Sequence, residues 1–436
     1  MLKKRLAALA LALAAVISCA CTNRGREAAE VTETAAITEA ETAEAETVYV
    51  TETEAPETEP ETAEETTTEE TTTEETTTEE TTTVETTTVE ITTAETTTAV
   101  TTAVTTTVTT VPETTAPPPI TWTYLHPLTG LPADRDWSGQ RPAAIMINNV
   151  SASLPQPGIS KADVIYECLV EGGMTRLLAL VQDYASLGVI GSVRSSREYY
   201  LDLAANHDAI YVHAGGSDEA YRQIKERGVN NLDGVNMYLP DTFYRDPARL
   251  KKYAYEHTLV TTGRGIVSGI KYRRYRTGVY AGFRNPLSFC TPDKVMVISD
   301  ANAAATNVIV PYNKNHRSQY VYDASTMLYS RYQYVGEKHI DGTTGEQLAF
   351  TNLLILCCDH AATGDEKGHI TVDTTGSDRG YACMGGRYVK IKWSKPTADS
   401  AISFTYADGG APLVLSCGKT MINIVSPEVF GNVTFR

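Results

Sequence analysis

Short apolar runs separated by turn residues fill the chain beyond residue 121, and their spacing predicts the first elements of the fold. The run RPAAIMINN (141–149) predicts a strand that ends in two amides, and AIYVHAGG (209–216) predicts a strand that ends in a glycine pair. Apolar positions three or four residues apart in SDEAYRQIKERG (217–228) predict an amphipathic helix with Gly228 at its end. The pattern indicates a mixed α and β protein.

The remaining pattern changes along the chain. MTRLLALVQDY (174–184) predicts a strand and the stretch 197–206 a helix, whereas the apolar run 164–170 is compatible with either. Between about residues 262 and 302 the signals weaken, as they do at a domain junction. From about residue 294 onward, short β-like runs separated by turns predict a mostly antiparallel sheet.

The amino terminus predicts an address outside the cytoplasm. MLKKRLAALALALAAVIS (1–18) combines a basic start with an apolar run that is too short to span a bilayer, as in a secretory signal peptide. Cys19 follows in a setting that resembles the lipobox of bacterial lipoproteins, which implies that Cys19 receives a lipid and becomes the mature amino terminus. Cys21 is the competing position, in a poorer context. Simple secretion and retention of the apolar run as an anchor are also compatible with this amino terminus.

A Thr- and Glu-rich segment follows, in which the unit EETTT recurs from residue 64 to residue 83. Its few apolar residues cannot offset the entropy lost on ordering, so we predict a disordered linker. A spacer that crosses the cell wall and a solubilising tail are both compatible with it. Residues 24–119 contain 24 Glu, no Asp and 2 Arg, so they account for the formal net charge of −17. The nearly neutral remainder carries no nucleic-acid footprint, and no nucleic-acid partner is expected.

The predicted fold class is therefore α+β. A mixed α/β sandwich-type first domain is followed by a mainly antiparallel β second domain, and a signal peptide and a long linker precede both. The predicted parts are a signal peptide at 1–18, a linker at 19–119, a first domain at 120–290 and a second domain at 291–436.

Isolated charged residues lie in the most apolar part of the first domain, between residues 163 and 216. A buried charge is costly unless it is paired or used, so this block is site-like. Glu167 and Glu171, four positions apart, would be close on a helix but about 13 Å apart on a strand. They form either a paired acid site near Arg176 or a structural network in which arginines neutralise each of them; the sequence favours the network.

Two further groups in this block suggest ligand binding. Arg194 and Arg197 flank Ser195 at a predicted strand-to-helix turn, which suits recognition of a phosphate or carboxylate; helix capping by serine is the structural alternative. His213 precedes a glycine pair and would need a carboxylate partner to act as an acid or base, whereas most such histidines are structural. The amide of Asn149 completes the candidate ligand-binding set.

No motif for a cofactor is present. The six cysteines beyond residue 121 lack C-x-x-C spacing, and we find no phosphate loop, dinucleotide fingerprint, nucleophile elbow or H-E-x-x-H motif. We therefore predict no metal and no cofactor. Disulfides are chemically allowed outside the cytoplasm, but nothing in the sequence selects a pairing.

Several ordered stretches resemble the YerB-like bacterial lipoproteins, whose two-part body is a domain of unknown function. The matching stretches are HPLTGLP, RPAAIMINN, QPGISKADVIYECLVEGGMTRLLAL, IGSVRSSR, DAIYVHAGGS, FYRD with HTLVT, GRYVKIKWSK and GKTMINIV. The resemblance implies a lipid-anchored, mixed α and β body outside the cytoplasmic membrane, of sandwich type. It implies no established activity, substrate or cofactor. Residues 251–256 are richer in Lys and Tyr than the family pattern.

The sequence thus predicts a non-catalytic cell-envelope lipoprotein, anchored to the membrane by its lipid on the extracytoplasmic face. Its charged block would bind an anionic or peptidic envelope ligand. The alternative is an envelope hydrolase or transferase, with Glu167, Glu171 and His213 as acid/base groups and with Arg194 and Arg197 holding an anion. In a third interpretation the charged block only stabilises the fold.

Overall fold

The computed structural model of the chain describes residues 122–298 and 303–436. The predicted signal peptide, the predicted lipidation at Cys19 and the predicted linker to residue 119 lie outside the described residues. Within the described ranges, no helix has the length and apolar character needed to cross a membrane.

The first half of the described chain alternates strands and helices. Its elements are β1 (Ala143–Asn148), β2 (Val164–Leu169), β3 (Thr175–Val181), β4 (Val189–Gly191), α1 (Glu198–Ala205), β5 (Ile210–His213), α2 (Asp218–Glu226), β6 (Asn231–Asp233), β7 (Phe243–Arg245), α3 (Pro247–Leu250), β8 (Leu259–Thr262) and α4 (Gly263–Arg273). Short 3-10 helices lie at Ser151–Ser153, Ile159–Lys161, Glu171–Gly173, Tyr184–Ser186 and Tyr255–His257.

The second half consists almost entirely of strands. Its elements are β9 (Asn307–Pro311), β10 (Arg317–Asp323), β11 (Leu328–Tyr334), β12 (Glu337–Lys338), β13 (Ala349–Phe350), β14 (Asn352–Cys357), β15 (His360–Ala362), β16 (Ile370–Val372), β17 (Gly376–Met384), β18 (Arg387–Lys395), β19 (Ser403–Tyr406), β20 (Thr420–Val425), α5 (Pro427–Phe430) and β21 (Thr434–Phe435). The predicted α+β class is confirmed by this content of elements.

One ten-stranded sheet contains strands from both halves, in the order β19-β18-β17-β14-β20-β2-β3-β1-β5-β6. At its centre β20 pairs in parallel with β14 on one side and with β2 on the other. The second half is mostly antiparallel, as expected. Strand β20 is the exception, because it lies between β14 and β2 and runs parallel to both. The predicted boundary at residues 290 and 291 divides strands that share this sheet.

Both faces of the large sheet are buried, because alternate residues of its strands enter two different cores. On β1, Ile145 and Ile147 belong to the core that also contains Val308 and Tyr320 of the second half. Met146, on the opposite face of β1, packs in the core that contains the apolar residues of α1. One face therefore lies under a smaller sheet of the order β12-β11-β10-β9-β21, with β13 beside β11, and the other lies under helix.

Local sequence explains helix α2, which the pattern predicted. The Ser217 hydroxyl accepts a hydrogen bond from the Ala220 N–H at 3.2 Å, which caps α2, and Gly228 follows the helix with φ +61°. The 3-10 turn at Glu171–Gly173 separates β2 from β3, so the ambiguous run 164–170 is a strand.

Helix α4 was not expected, because its sequence GRGIVSGIKYR contains three glycines, which disfavour helix formation. The structure shows what these glycines do. A Cβ at Gly265 would lie 2.5 Å from the Thr242 carbonyl oxygen, and one at Gly269 would lie 2.9 Å from the Thr242 hydroxyl. Close packing against Thr242 thus requires glycine at these positions. The glycines in turn weaken the helical pattern, so the sequence signals are weak just after residue 262.

The turn before β2 generates the first prediction. Gly158 has φ +72°, a Cβ there would lie 2.1 Å from the Val189 carbonyl oxygen, and its N–H donates to Asp341 at 3.1 Å. We expect Gly158→Ala to lower the free energy of unfolding by at least about 2 kcal/mol, because alanine cannot adopt this backbone without strain. Urea unfolding measures the change.

Gly188 is the matched control. Nothing lies within 4 Å of a Cβ built at Gly188, so Gly188→Ala should change the unfolding free energy by no more than about 1 kcal/mol. Equal stability of the two variants would contradict the assigned geometry at Gly158.

Candidate functional site

The charged residues of the first half do not converge on one pocket. They divide into a buried cluster around Glu167, a partly exposed cluster around Glu171, and an open hollow beside Arg194. The three groups have different partners, so each is described in turn.

The Glu167 cluster lies between the large sheet and the smaller one. Strand β2 places Glu167 opposite Asn423 of β20, and its side chain is 0% exposed. Arg331 of β11 donates to Oε2 through Nη2 at 2.7 Å, and His316 Nε2 lies 3.1 Å from Oε1. Arg331 and His316 both come from the second half of the chain, so the carboxylate joins the two halves.

Neutral side chains complete the coordination of Glu167. The Thr175 hydroxyl and the Asn149 amide donate to Oε1 at 2.8 and 2.9 Å, and the Ser318 hydroxyl donates to Oε2 at 3.1 Å. Asn149 itself accepts a hydrogen bond from the Gln333 amide at 2.6 Å. The carboxylate is thus fully occupied by protein groups, and Asn149, a predicted ligand-binding residue, is one of them.

The electrostatics of Glu167 follow from these contacts. Burial by itself raises the pKa of the carboxyl, but Arg331 and then His316 lower it more, so the pKa lies well below its usual 4.5. The same pairing raises the pKa of Arg331, although burial opposes the shift. Both groups are charged in the folded protein at neutral pH.

The Glu171 cluster lies just beyond the end of β2. Arg176 Nη2 donates to Glu171 Oε1 at 2.7 Å, and Arg197 donates to both carboxylate oxygens, through Nε at 2.9 Å to Oε2. Burial raises the pKa of Glu171, but Arg176 and Arg197 outweigh it, so the pKa is lowered. This arrangement is the ion-pair network that the sequence favoured, with only one of the two glutamates in it.

Arg194 is close to this network but outside its ion pairs. Its Nη1 donates to the Glu256 carbonyl oxygen at 3.0 Å, and its Nε is buried without a hydrogen-bond partner. Burial, followed by the charge of Arg176, lowers the pKa of the Arg194 guanidinium. Arg176, Arg194 and Arg197 lie near the carboxylate of Glu171, and the carboxylate of Glu256 also attracts Arg194. The guanidinium groups here therefore still outnumber the carboxylates.

An open hollow of about 410 Å³ lies next to Arg194. Its wall includes Ser195, the backbone of Gly215 and Gly216, and Arg245. The Arg245 guanidinium stacks over the Tyr255 ring at 3.8 Å from its centroid. We call this the Arg194 hollow; of the predicted site residues, Arg194 and Ser195 line it.

Asp233 fixes the far wall of the Arg194 hollow. Its Oδ1 accepts hydrogen bonds from the N–H groups of Gly215 and Val235 at 2.8 and 2.9 Å. Its Oδ2 accepts one from the Tyr221 hydroxyl at 2.8 Å. Gly215 has φ +78°, a backbone conformation that favours glycine, so the turn presents bare backbone to the hollow.

His213 lies behind this wall. Its side chain is buried, with Nδ1 2.8 Å from the Gly215 carbonyl oxygen and Nε2 3.1 Å from Asn231 Oδ1. Neither ring nitrogen has the carboxylate partner that the sequence hypothesis required, because protein amide oxygens occupy both positions. The arrangement is that of a structural histidine.

The capping alternative for the serines is wrong. The residue before α1 is Arg197, and no side-chain hydrogen bond caps the helix there. The Ser195 carbonyl oxygen instead accepts a hydrogen bond from Arg176 Nη1 at 3.0 Å, and the Ser196 hydroxyl accepts one from the Tyr211 hydroxyl at 2.9 Å. The turn is held by arginine and tyrosine, which orients Arg194 toward the hollow.

Among the residues that the structure describes, no group of three or more His, Cys, Asp or Glu side chains could hold a metal ion. The polar residues near the β15–β16 hairpin pair locally. His369 Nδ1 lies 2.5 Å from Asp365 Oδ2, and His360 Nδ1 lies 2.8 Å from the Cys358 carbonyl oxygen.

Comparisons with known proteins give the family. Residues 128–276 match the N-terminal domain of a protein family of unknown function (DUF3048), and residues 308–422 match its C-terminal domain. The chain is 30% identical over 308 residues to the Bacillus subtilis (strain 168) protein named "Putative lipoprotein YerB", which covers 69% of this chain and 85% of that protein. The chain belongs to the YerB-like family.

A solved structure agrees with this membership. The crystal structure of YerB from Bacillus subtilis superposes with a TM-score of 0.61 at 28% identity, over 72% of this chain and 99% of that one. The resemblance read from the sequence is therefore confirmed. The Bacillus subtilis relative is named a putative lipoprotein, and the matching family domain is one of unknown function. Neither description names a ligand.

Sequence reasoning missed the second half of the Glu167 cluster in this YerB-like chain. Strand β11 buries Tyr329, Arg331 and Gln333 on one face, and Tyr332 and Tyr334 stand on the other. Because tyrosine occurs on both faces, alternation does not distinguish them. The sequence offered one signal: Glu167 is a lone acidic residue in an apolar run of the first half, and Arg331 is a lone basic residue in a predicted strand of the second half.

The Glu167 cluster generates a stability prediction. Replacing Glu167 with Gln leaves Arg331 buried without its counter-charge, so we expect the free energy of unfolding to fall by about 3–5 kcal/mol. Glu219→Gln is the control, because Glu219 pairs with Arg222 on the surface and should cost no more than about 0.5 kcal/mol. Equilibrium urea unfolding of both variants checks this, and a Glu167→Gln cost as small as the control would contradict it.

The lowered pKa of Glu167 also gives a pH dependence. Since the folded pKa lies below the unfolded one, the stabilisation is complete above the usual value of 4.5 and is lost as the pH falls toward the folded value. The stability difference between wild type and Glu167→Gln should be constant near neutral pH and shrink by about 1.4 kcal/mol per pH unit below the usual value. Urea unfolding at a series of pH values measures it. A difference that persists unchanged in acid would contradict the assignment.

Proposed function

We propose that this YerB-like protein is a lipid-anchored protein of the bacterial cell envelope, and that the Arg194 hollow binds an anionic group of an envelope ligand. The anchor is the lipid predicted on Cys19, which follows the predicted signal peptide, and the body then lies on the extracytoplasmic face. The lipoprotein name of the Bacillus subtilis relative supports the anchor. The linker would give the binding surface reach from the membrane.

The observation that carries the binding proposal is the excess of guanidinium groups over carboxylates. Arg176 and Arg197 already share the carboxylate of Glu171, and each lowers the pKa of the neighbouring Arg194 after burial has done so. Repulsion between like charges in a partly buried place is unfavourable, and a bound anion relieves it. Arg194 lines the hollow, so its guanidinium group supplies donors for that anion.

The shape of the hollow fits a phosphate or a carboxylate. Arg194 and Arg245 provide forked donors that match both groups. The Gly215–Gly216 backbone allows close approach, since neither residue carries a side chain of its own. A volume of about 410 Å³ admits a phosphate ester or the end of a peptide, consistent with an anionic or peptidic ligand.

Charge in the chain segment that includes Arg245 extends the argument to a polymer. Residues 244–284 contain ten Lys and Arg but two acidic residues, although Arg249 is buried against carbonyl oxygens and Arg276 pairs with Asp208. Tyr255 and Tyr272 are 66% and 53% exposed within this segment. Basic and aromatic side chains together suit a repeating polyanion, because charge supplies attraction and the rings supply contact area. The Lys- and Tyr-rich stretch 251–256 belongs to this surface.

The alternative of an envelope hydrolase or transferase receives less support. It needs Glu167, Glu171 and His213 to reach a substrate as acid/base groups. Glu167 and His213 are buried and bonded to protein groups, and Glu171 is paired with two arginines. Binding without turnover requires only Arg194, Arg245 and the turn backbone, which are accessible in the hollow.

The binding test uses the full-length protein with two probes, glycerol 3-phosphate and acetyl-D-alanyl-D-alanine, in titration calorimetry. We expect at least one probe to bind and Arg194→Gln to weaken it about tenfold or more, because a hydrogen bond to a charged group contributes about 1.5–3 kcal/mol. Raising the salt concentration should weaken binding as well.

Arg222→Gln is the matched control. Arg222 lies on the exposed face of α2, paired with Glu219 and Glu226, so its replacement should leave the affinity unchanged. Unchanged affinity in Arg194→Gln, or no binding of either probe to wild type, would overturn the proposed site. Consumption of either probe during the titration would favour the enzyme alternative.

A further inference from the structure

Two cysteines from opposite halves of the chain lie side by side. Phe289 and Leu415 form a parallel β-bridge, and the Cys290 N–H donates to the Leu415 carbonyl oxygen at 2.9 Å. Cys417 follows two positions later, and its Sγ lies 3.1 Å from the Cys290 carbonyl oxygen. The backbone pairing therefore holds both residues in a fixed relation.

Carbonyl oxygens lie close to both thiols. Cys290 Sγ lies 3.2 Å from the Lys294 carbonyl oxygen, and Cys417 Sγ lies 3.2 Å from that of Gly130 in addition to its contact with Cys290. Both cysteines are half-buried, whereas the other four cysteines in the described part of the chain are buried: Cys168, Cys357, Cys358 and Cys383. Of these six described cysteines, only this pair combines mutual contact with access to solution.

We propose that Cys290 and Cys417 are a thiol pair that closes to a disulfide when the exported protein meets a disulfide oxidant. Because paired backbone brings Cys417 Sγ to 3.1 Å from the Cys290 carbonyl oxygen, the two thiols can meet without a large movement of the chain. The predicted export places them where disulfides persist. Neither cysteine lines the Arg194 hollow, so the disulfide is independent of the proposed binding.

The reaction is thiol–disulfide exchange with an oxidant of the type R–S–S–R. The Cys290 thiolate attacks one oxidant sulfur, forms a mixed disulfide and releases one R–S⁻. The Cys417 thiolate then attacks Cys290 Sγ, which forms the Cys290–Cys417 bond and releases the second R–S⁻. Two protein thiols are oxidised, the oxidant is reduced by two electrons, and the two thiol protons go to the released thiolates or to solvent.

Cys290 is assigned the first attack because its thiol contact with Lys294 is exposed, whereas the contacts of the Cys417 thiol are partly buried. Burial, followed by the adjacent Cys290, raises the pKa of the Cys417 thiol to about 11. Once Cys290 carries the mixed disulfide, Cys417 is already positioned beside it and resolves it within the same molecule.

The bond would connect positions 127 residues apart and fix the wall of a second cavity. That cavity, about 670 Å³, is lined by Pro292, Lys294 and Val295 next to Cys290, and by Cys417 itself. The loop that the disulfide closes is long, so the unfolded chain loses much entropy. We expect reduction to lower the Tm by about 5–10 °C.

The experiment treats the reduced full-length protein with oxidised glutathione, blocks remaining thiols with N-ethylmaleimide and maps unreduced peptides by mass spectrometry. We expect one cross-linked peptide containing Cys290 and Cys417, lighter by two hydrogens than its parts. In Cys417→Ser the glutathione adduct on Cys290 should persist, because the resolving thiol is gone. Cys21→Ser is the control and should leave the cross-link unchanged.

The peptide map can overturn the proposal in more than one way. One is a glutathione adduct that persists on Cys290 in the wild-type protein, which would mean that Cys417 cannot reach it. The other is a cross-link to Cys21, or none at all with both thiols alkylated. The Tm provides a second measurement: the difference between oxidised and reduced protein should vanish in Cys290→Ser, and an equal difference there would assign it to another pair.

Discussion

The buried ion pair between Glu167 and Arg331 is the constraint on which the rest of this structure depends. Each ion loses its hydration on burial, at a cost of several kcal/mol, and the opposite charge that compensates for the loss comes from the other half of the chain. Without its partner, the charge of either half would lie unpaired in an apolar interface, which is unfavourable. The pair therefore selects one docking of the smaller sheet on the large one, and β20 extends the same joint by pairing directly with β2.

That joint explains why the obvious acidic residue is not the site. Glu167 lies inside the strand, where both faces are covered, whereas Glu171 lies in the turn that follows it. The turn lies at the end of β2, where the buried Arg176 of β3 and Arg197 before α1 pair with the partly exposed Glu171. Two carboxylates four positions apart thus have different roles: Glu167 joins the two halves of the chain, and Glu171 holds two arginines in place.

The sequence predicted what local patterns determine and failed where distant packing decides. Strands β1 and β5 and helices α1 and α2 follow from alternation, helical spacing and turn residues near each element. The partner of Glu167 lies 164 positions away, and a two-residue period says which face a side chain is on but not which strand lies opposite. Gly265 shows the same limit. Glycine is needed there because the Thr242 backbone packs closely against it, and no local sequence pattern reveals that contact.

The Arg194 hollow follows from these constraints as a place where folding leaves charge unbalanced. Arg176 and Arg197 are held by the Ser195 and Ser196 carbonyl oxygens as well as by Glu171, so they cannot turn away from each other. Asp233 independently fixes the opposite wall through Gly215. A rigid wall and a fixed excess of positive charge mean that an incoming anion needs little reorganisation of the protein. The repulsion between these arginines lowers the stability of the folded protein, and the anion that we propose next to Arg194 would offset part of this cost.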